Sequence, residues 1–299
     1  MKKIILAVSV FSITILNAQE LPKVSPKAKV EQRVGLTDVS ITYHRPSVKE
    51  RVIFGDVVPY NEVWRAGANE ATIITFSDDV EIVISKEQNF GPKPLRPGME
   101  NPKTKPQTNE VIHNLKSGNY ALFITPTDSI WKVHFNSATD SWGSSGYKPE
   151  NDVLVIEVMP EVFGPKNRQP KKDADGKEIP AEKKPMNPMM KRNLTETLTF
   201  SFHDLTDTTA HVVMAWEFTK LSFTVKVDAH QKALANIEKA IKESPKENLW
   251  KVYRNAANYM FQGKHDINQA LTWIDKAIEL NNTAWLNFWI KAQILGEKG

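Results

Sequence analysis

The chain has 299 residues, a formal net charge of +4 and no cysteine. That length is enough for two units with cores of their own, and the near balance of charge gives no reason to expect nucleic acid as a partner. The absence of cysteine excludes disulfides, thiol catalysis and the lipid attachment of a bacterial lipoprotein, so stability has to come from packing.

Residues 1–18 read as a cleaved secretory signal: Met1-Lys2-Lys3, an apolar run of 13 residues from Ile4 to Leu16, then Asn17-Ala18 before a polar start. The expected location is therefore periplasmic or secreted. An uncleaved anchor needs about 20 apolar residues, and Ser9, Ser12 and Thr14 interrupt this run. No later stretch is apolar enough to span a bilayer as a helix.

From Ala28 the pattern has period two. Alternation on both sides of short turns predicts a hairpin from residues 28–34 and 39–43, and a second from 72–76 and 80–84 around Ser77-Asp78-Asp79. Further strands are predicted at 111–115, 120–125, 130–135, 153–158, 195–202, 210–216 and 221–227. Such a run of short strands with no intervening helical pattern predicts an antiparallel β-sandwich, or a barrel, over residues 19–227. Two basic, proline-rich inserts interrupt it at 88–109 and 161–193, and between them they hold ten of the 18 prolines. Solvated loops are the simpler reading of such segments; contact with an anionic surface is the alternative.

From Asp228 the period becomes helical, and Asp266 and Thr283 stand where helix caps belong. Ser244-Pro245 is placed to cap and open a second helix. Residues 234–242 align with 271–279 at an offset of 37, and Trp250, Tyr253 and Ala257 align with Trp285, Phe288 and Ala292 at an offset of 35. That spacing predicts a four-helix, tetratricopeptide-like α-solenoid segment over 228–299. Two such repeats are too few to stand alone, so the tail is expected to lean on the sandwich, with Trp273, Trp285, Phe288 and Trp289 among its core and docking aromatics.

The most unusual stretch is the 26-residue connection from Pro46 to Ala71, read as an ordered crossover because it carries aromatics among its charges. Tyr43-His44-Arg45-Pro46-Ser47-Val48, Ile53-Phe54-Gly55, Val57-Val58-Pro59-Tyr60 and the run Val63-Trp64-Arg65-Ala66-Gly67-Ala68-Asn69-Glu70-Ala71-Thr72 resemble DUF2911, a family of exported bacterial proteins of uncharacterised function. The likeness continues through 118–123, Trp142-Gly143 and Trp216-Glu217. It implies a β-rich domain, often followed by a short helical tail, and it implies no established catalytic residue.

Candidate chemistry concentrates in the same place. Arg45 and Arg65 sit beside aromatics, a setting suited to a carboxylate, phosphate or sugar; alternatively they fix the long connection through Glu62, Glu70 or backbone carbonyls. Ala66 to Glu70 can present backbone N–H groups and the Asn69 amide to a small anion. Trp131, Trp142 and Trp216 are core residues or a sugar-stacking platform, with Trp142 favoured for ligand contact by its Gly/Ser loop. The seven histidines show no metal-ligand spacing, although His203 and His211 can face each other across a turn. No metal or other cofactor is implied. The resulting expectation is a non-catalytic envelope binding module for a glycan, small anion or partner protein, using Arg45, Trp64, Arg65, Asn69, Glu70 and Trp142. The alternative is an envelope hydrolase with Glu70 or His44 as acid or base.

Overall fold

The structure, a computed structural model, describes residues 21–85, 110–164 and 192–298. Among them are twelve strands: β1 Lys27–Val34, β2 Thr37–His44, β3 Thr72–Phe76, β4 Val80–Ser85, β5 Glu110–Leu115, β6 Gly118–Thr125, β7 Trp131–Asn136, β8 Asp152–Val158, β9 Glu161–Val162, β10 Thr195–His203, β11 Thr209–Glu217 and β12 Thr219–Lys226. Four helices follow: α1 Ala229–Glu243, α2 Lys246–Gln262, α3 Ile267–Leu280 and α4 Trp285–Lys298. The predicted leader and the 88–109 insert lie outside the described residues, as does all of the second insert except its ends. At one of those ends the expectation of loop fails, because Glu161–Val162 pairs with Thr219 and Lys220 of β12 as a short strand.

Two antiparallel sheets stack face to face, one in the order β1-β2-β3-β6-β7-β8 and the other β10-β11-β12-β4-β5. The alternation read from the sequence decides the inner faces: Val39, Ile41 and Tyr43 of β2 point inward with Ile74, Leu122 and Phe135, against Ile82, Phe200, Val212 and Phe223 of the second sheet. The second predicted hairpin is corrected. β3 pairs with β2 and β6, whereas β4 pairs with β12 and β5, so Ser77-Asp78-Asp79 turns the chain from one sheet to the other. Side chains satisfy the backbone at that corner: Asp38 N–H donates to Ser77 Oγ at 2.9 Å and Ser117 N–H to Asp79 Oδ1 at 2.9 Å. Alternation tells which face of a strand is buried, but both sheets use the same alternation, so it does not choose the neighbour.

The 46–71 connection is not a crossover, since β2 and β3 are adjacent. It leaves the sheet and covers the end of the sandwich where β2, β6 and β11 finish. Val48, Ile53, Phe54, Val58 and Trp64 are buried in the common core. Backbone bonds tie it at both flanks, from Val48 N–H to Glu196 O at 2.7 Å and between Trp64 and Ile124 in both directions at 2.8 and 2.7 Å.

In the tail, Asp228 caps α1 and Asp266 caps α3 by accepting backbone N–H bonds from the first turn. Pro245 stands at the cap position of α2 rather than inside it, and Ser244 closes α1 instead of opening α2. Asn281 Oδ1, accepting from Thr283 N–H, organises the turn before α4 in place of a Thr283 cap. The helices build their own core from Ala257, Met260, Ala270, Ile274, Ala277, Ile290 and Ile294. Their contact with the sandwich includes Lys232, whose ammonium bonds Leu36 O and Asp78. Trp285, Phe288 and Trp289 do not dock on the sandwich: they are 73%, 47% and 57% exposed. Among the described residues no helix is long and apolar enough to cross a membrane.

Candidate functional site

The six residues singled out by sequence separate into three settings around the covered end of the sandwich. Arg45 donates from Nε to Leu198 O at 3.0 Å and from its terminal nitrogen to Thr199 Oγ1 at 3.0 Å, tying the end of β2 to β10 across the two sheets. Trp64 is buried, with Nε1–H donating to Gly67 O at 3.0 Å and its indole stacked on Trp216 at 5.6 Å. Asn69, Glu70 and Trp142 come together on a ledge. Glu70 and Trp142 form an isolated bridge, Gly143 N–H donates to Asn69 O at 3.2 Å, and Asn69 Nδ2 donates to Ser25 O at 3.3 Å. Trp142 is 64% exposed, and Lys23 lies 5.9 Å above its ring while its ammonium stands 3.4 Å from Glu70 Oε1.

Arg65 faces a different space. It lines a cleft of about 450 Å³ with Lys49, Arg51, Ser47, Trp64 and Trp216, and no lining residue is acidic. Arg51 is held in place by donating from Nε to Val48 O at 3.0 Å and from its terminal nitrogen to Ser47 O at 2.7 Å. Two residues that line this cleft carry a buried donor without a hydrogen-bond partner: Arg65 at Nε and Trp216 at Nε1. Buried donors without acceptors are uncommon and costly, and two on one cleft with three cations describe a place shaped for an anionic acceptor. Burial also pulls the Arg65 pKa below the ordinary guanidinium value. Gly67 and Ala68 line the same cleft. Of the donors that 66–70 could present to an anion, the Asn69 amide is spent on the fold, donating to Ser25 O at 3.3 Å.

A larger groove of about 570 Å³ runs along β4 and β5. Its two cations already have carboxylate partners, Lys116 with Asp79 at 2.7 Å and Lys226 with Glu81 at 2.8 Å. The smaller cleft is the better candidate on chemistry.

His44 is buried, and its Nε2 lies 3.2 Å from Glu70 Oε2. Burial lowers the His44 pKa, more than the neighbouring Glu70 carboxylate raises it. The Glu70 carboxyl is held below its ordinary value by its own backbone N–H, with His44 and Lys23 helping. The pair is therefore a neutral imidazole beside a carboxylate at neutral pH.

Sequence reasoning missed one further constellation. Asp152 accepts from His134 Nδ1 at 2.9 Å, Tyr147 OH at 2.6 Å and Asn136 Nδ2 at 2.8 Å, and His134 Nε2 meets Thr125 Oγ1 at 3.0 Å. Burial first, and then the bond to Asp152, push the Tyr147 phenol up. Donors and acceptors match throughout, so the network binds β6, β7 and β8 to the loop that carries Trp142. The alternation of β7 places His134 on a face, but nothing local announces its partners. His203 and His211 do sit opposite each other, as the turn between them predicts. Among the described residues no group of three or more His, Cys, Asp or Glu is placed to hold a metal ion.

No curated protein and no solved structure matches the chain. A family model, described as a protein of unknown function, matches residues 25–88 and 107–170, which include the whole connection and its ledge. Over these two segments, which span β1 to β9, the chain matches the DUF2911 family.

Proposed function

We propose that this is an exported, non-catalytic binding protein that takes a small anionic ligand, a carboxylate-, phosphate- or sulfate-bearing molecule, in the cleft beside Arg65. The observation that carries the reading is that Arg65 and Trp216, two residues lining one acid-free cleft, each keep a buried donor without a hydrogen-bond partner, Arg65 Nε and Trp216 Nε1. Arg51 on the same lining is already fixed by its bonds to Val48 O and Ser47 O, so little ordering of that cation is needed on binding. Export is supported by the basic and apolar leader at residues 1–18. An acidic glycan fits the same chemistry, with exposed Trp142 as an adjoining stacking surface.

The test is a thermal-shift and calorimetric screen of residues 19–299 against sulfate, phosphate, acetate, hexuronates and the matching neutral sugars. Anions are expected to raise the melting temperature and the neutral sugars to leave it unchanged. Arg51→Gln should weaken anion binding by about tenfold. Binding of neutral sugars alone, or of no member of the series, overturns the assignment. The hydrolase reading rests on the 3.2 Å His44–Glu70 contact. It predicts that Glu70→Gln removes turnover by on the order of a hundredfold, whereas the binding reading leaves anion affinity nearly intact in that variant.

A further inference from the structure

α4 is apolar on both of its sides. Ile290 and Ile294 enter the helical core, yet Trp285, Phe288, Trp289 and Leu295 are 73%, 47%, 57% and 46% exposed. At a helical turn of about 100° per residue, these four side chains fall with Ala292 and Gly296 on one arc of about 120° opposite the buried isoleucines. That arc contains no charged residue. The other helices turn charges to solvent, including Glu238, Lys239 and Lys242 of α1, Lys246, Glu247 and Lys251 of α2, and Asp275, Lys276 and Glu279 of α3. A helix apolar all round is one whose second face is covered.

The internal repeat shows what kind of contact is missing. Phe288 and Ala292 correspond to Tyr253 and Ala257 at the offset of 35, and on α2 that pair lies within the helical core. The same repeat position is therefore a helix-packing surface in α2 and an open one in α4.

We infer that the α4 face is a homodimer interface, in which α4 packs antiparallel on α4 of a second copy. The face is self-complementary along its length. Its first half is bulky, with Trp285, Phe288 and Trp289, and its second half is shallow along Ala292 and Gly296, where a Cβ added at the glycine would meet nothing within 4 Å, with Leu295 at its edge. A two-fold axis across the helix sets the bulky half of each copy in the shallow half of the other. Charge agrees with this choice: Lys291 at the rim is already paired with Asp275 at 2.8 Å, and the uncharged face holds nothing that selects an acidic or basic partner. The exposed parts of the four large side chains supply on the order of 1,000 Å² over both copies, at the small end of specific interfaces, so the dimer is a reversible one in the micromolar range.

Sedimentation of residues 19–299 between about 1 and 300 μM is expected to show the mass rising from monomer to dimer. Trp289→Lys should weaken the association by about tenfold or more. Gly296→Leu should weaken it comparably by filling the shallow half, without lowering the melting temperature, because leucine favours the helix over glycine. A monomer at every concentration, or a dimer indifferent to both substitutions, overturns the inference.

Discussion

His44 Nε2 stands 3.2 Å from Glu70 Oε2, a nearly buried imidazole against a half-exposed carboxylate. Glu70 Oε2 is itself buried and makes no hydrogen bond, so the contact is a close approach rather than an aligned bond. His44 is held below the ordinary imidazole value of 6.5, mainly by burial. The unfolded chain therefore takes up this proton first as pH falls, and stability is lost from about 6.5 downward through the folded value. Histidine titration by NMR should place the His44 midpoint below 6.5, and Glu70→Gln should move it lower still by removing the one influence that raises it. A midpoint above 6.5 in the parent protein contradicts this account.

Arg65 carries a desolvation cost that no described acceptor relieves at Nε. Arg65→Met keeps the length of the side chain and removes the partly buried cation, so in anion-free buffer it should leave the melting temperature unchanged or raise it. The same substitution should abolish the rise produced by sulfate or phosphate. A large loss of stability without ligand would mean that Arg65 is a structural tie like Arg45.

Asp152 is the shared acceptor of three donors, from His134, Tyr147 and Asn136. Asp152→Ala strands all three beneath the 138–148 loop and should cost about 3 kcal/mol or more, whereas Tyr147→Phe removes a single donor and should cost about 1 kcal/mol. Urea unfolding compares the two, and equal costs would show that the network is not organised by Asp152.

The corner between sandwich and tail depends on Gly35 and Lys232. Gly35 has φ +54°, and a β-carbon there would sit 2.6 Å from Asp207 O and 2.7 Å from the Ala229 side chain, so Gly35→Ala should cost about 2 kcal/mol or more. Burial alone would raise the Asp78 carboxyl, but bonds from Lys232 and Ser77 outweigh it and hold the group below its ordinary value. That contribution is present above the ordinary carboxylate range and lost as pH falls through the folded value. The pair is about a third exposed, so Lys232→Met should cost no more than about 1 kcal/mol. Hydrogen exchange at the start of α1 should nevertheless speed up, and unchanged exchange would place the hold on the tail elsewhere.

Much of the architecture is local in origin and was legible as such. Alternation around Val39-Ser40-Ile41-Thr42-Tyr43 dictates which side chains are buried, because strand geometry alone sends successive residues to opposite faces. The stripe Leu271, Ile274 and Ala277 dictates one face of α3 in the same way. The length and aromatic content of the 46–71 connection also marked it as an ordered part of the fold. What tertiary structure alone decided is which partner each residue meets. Arg45 and Arg65 look alike in sequence, each beside an aromatic, yet one is consumed by Leu198 and Thr199 and the other faces a cleft walled in part by Trp216. Those partners come from β10 and β11, far along the chain, and the side to which a side chain turns at the end of a sandwich depends on strands that periodicity cannot place. The same reason separates β3 from β4 and joins His134 to Asp152: pattern determines burial, and only the packed sheets determine company.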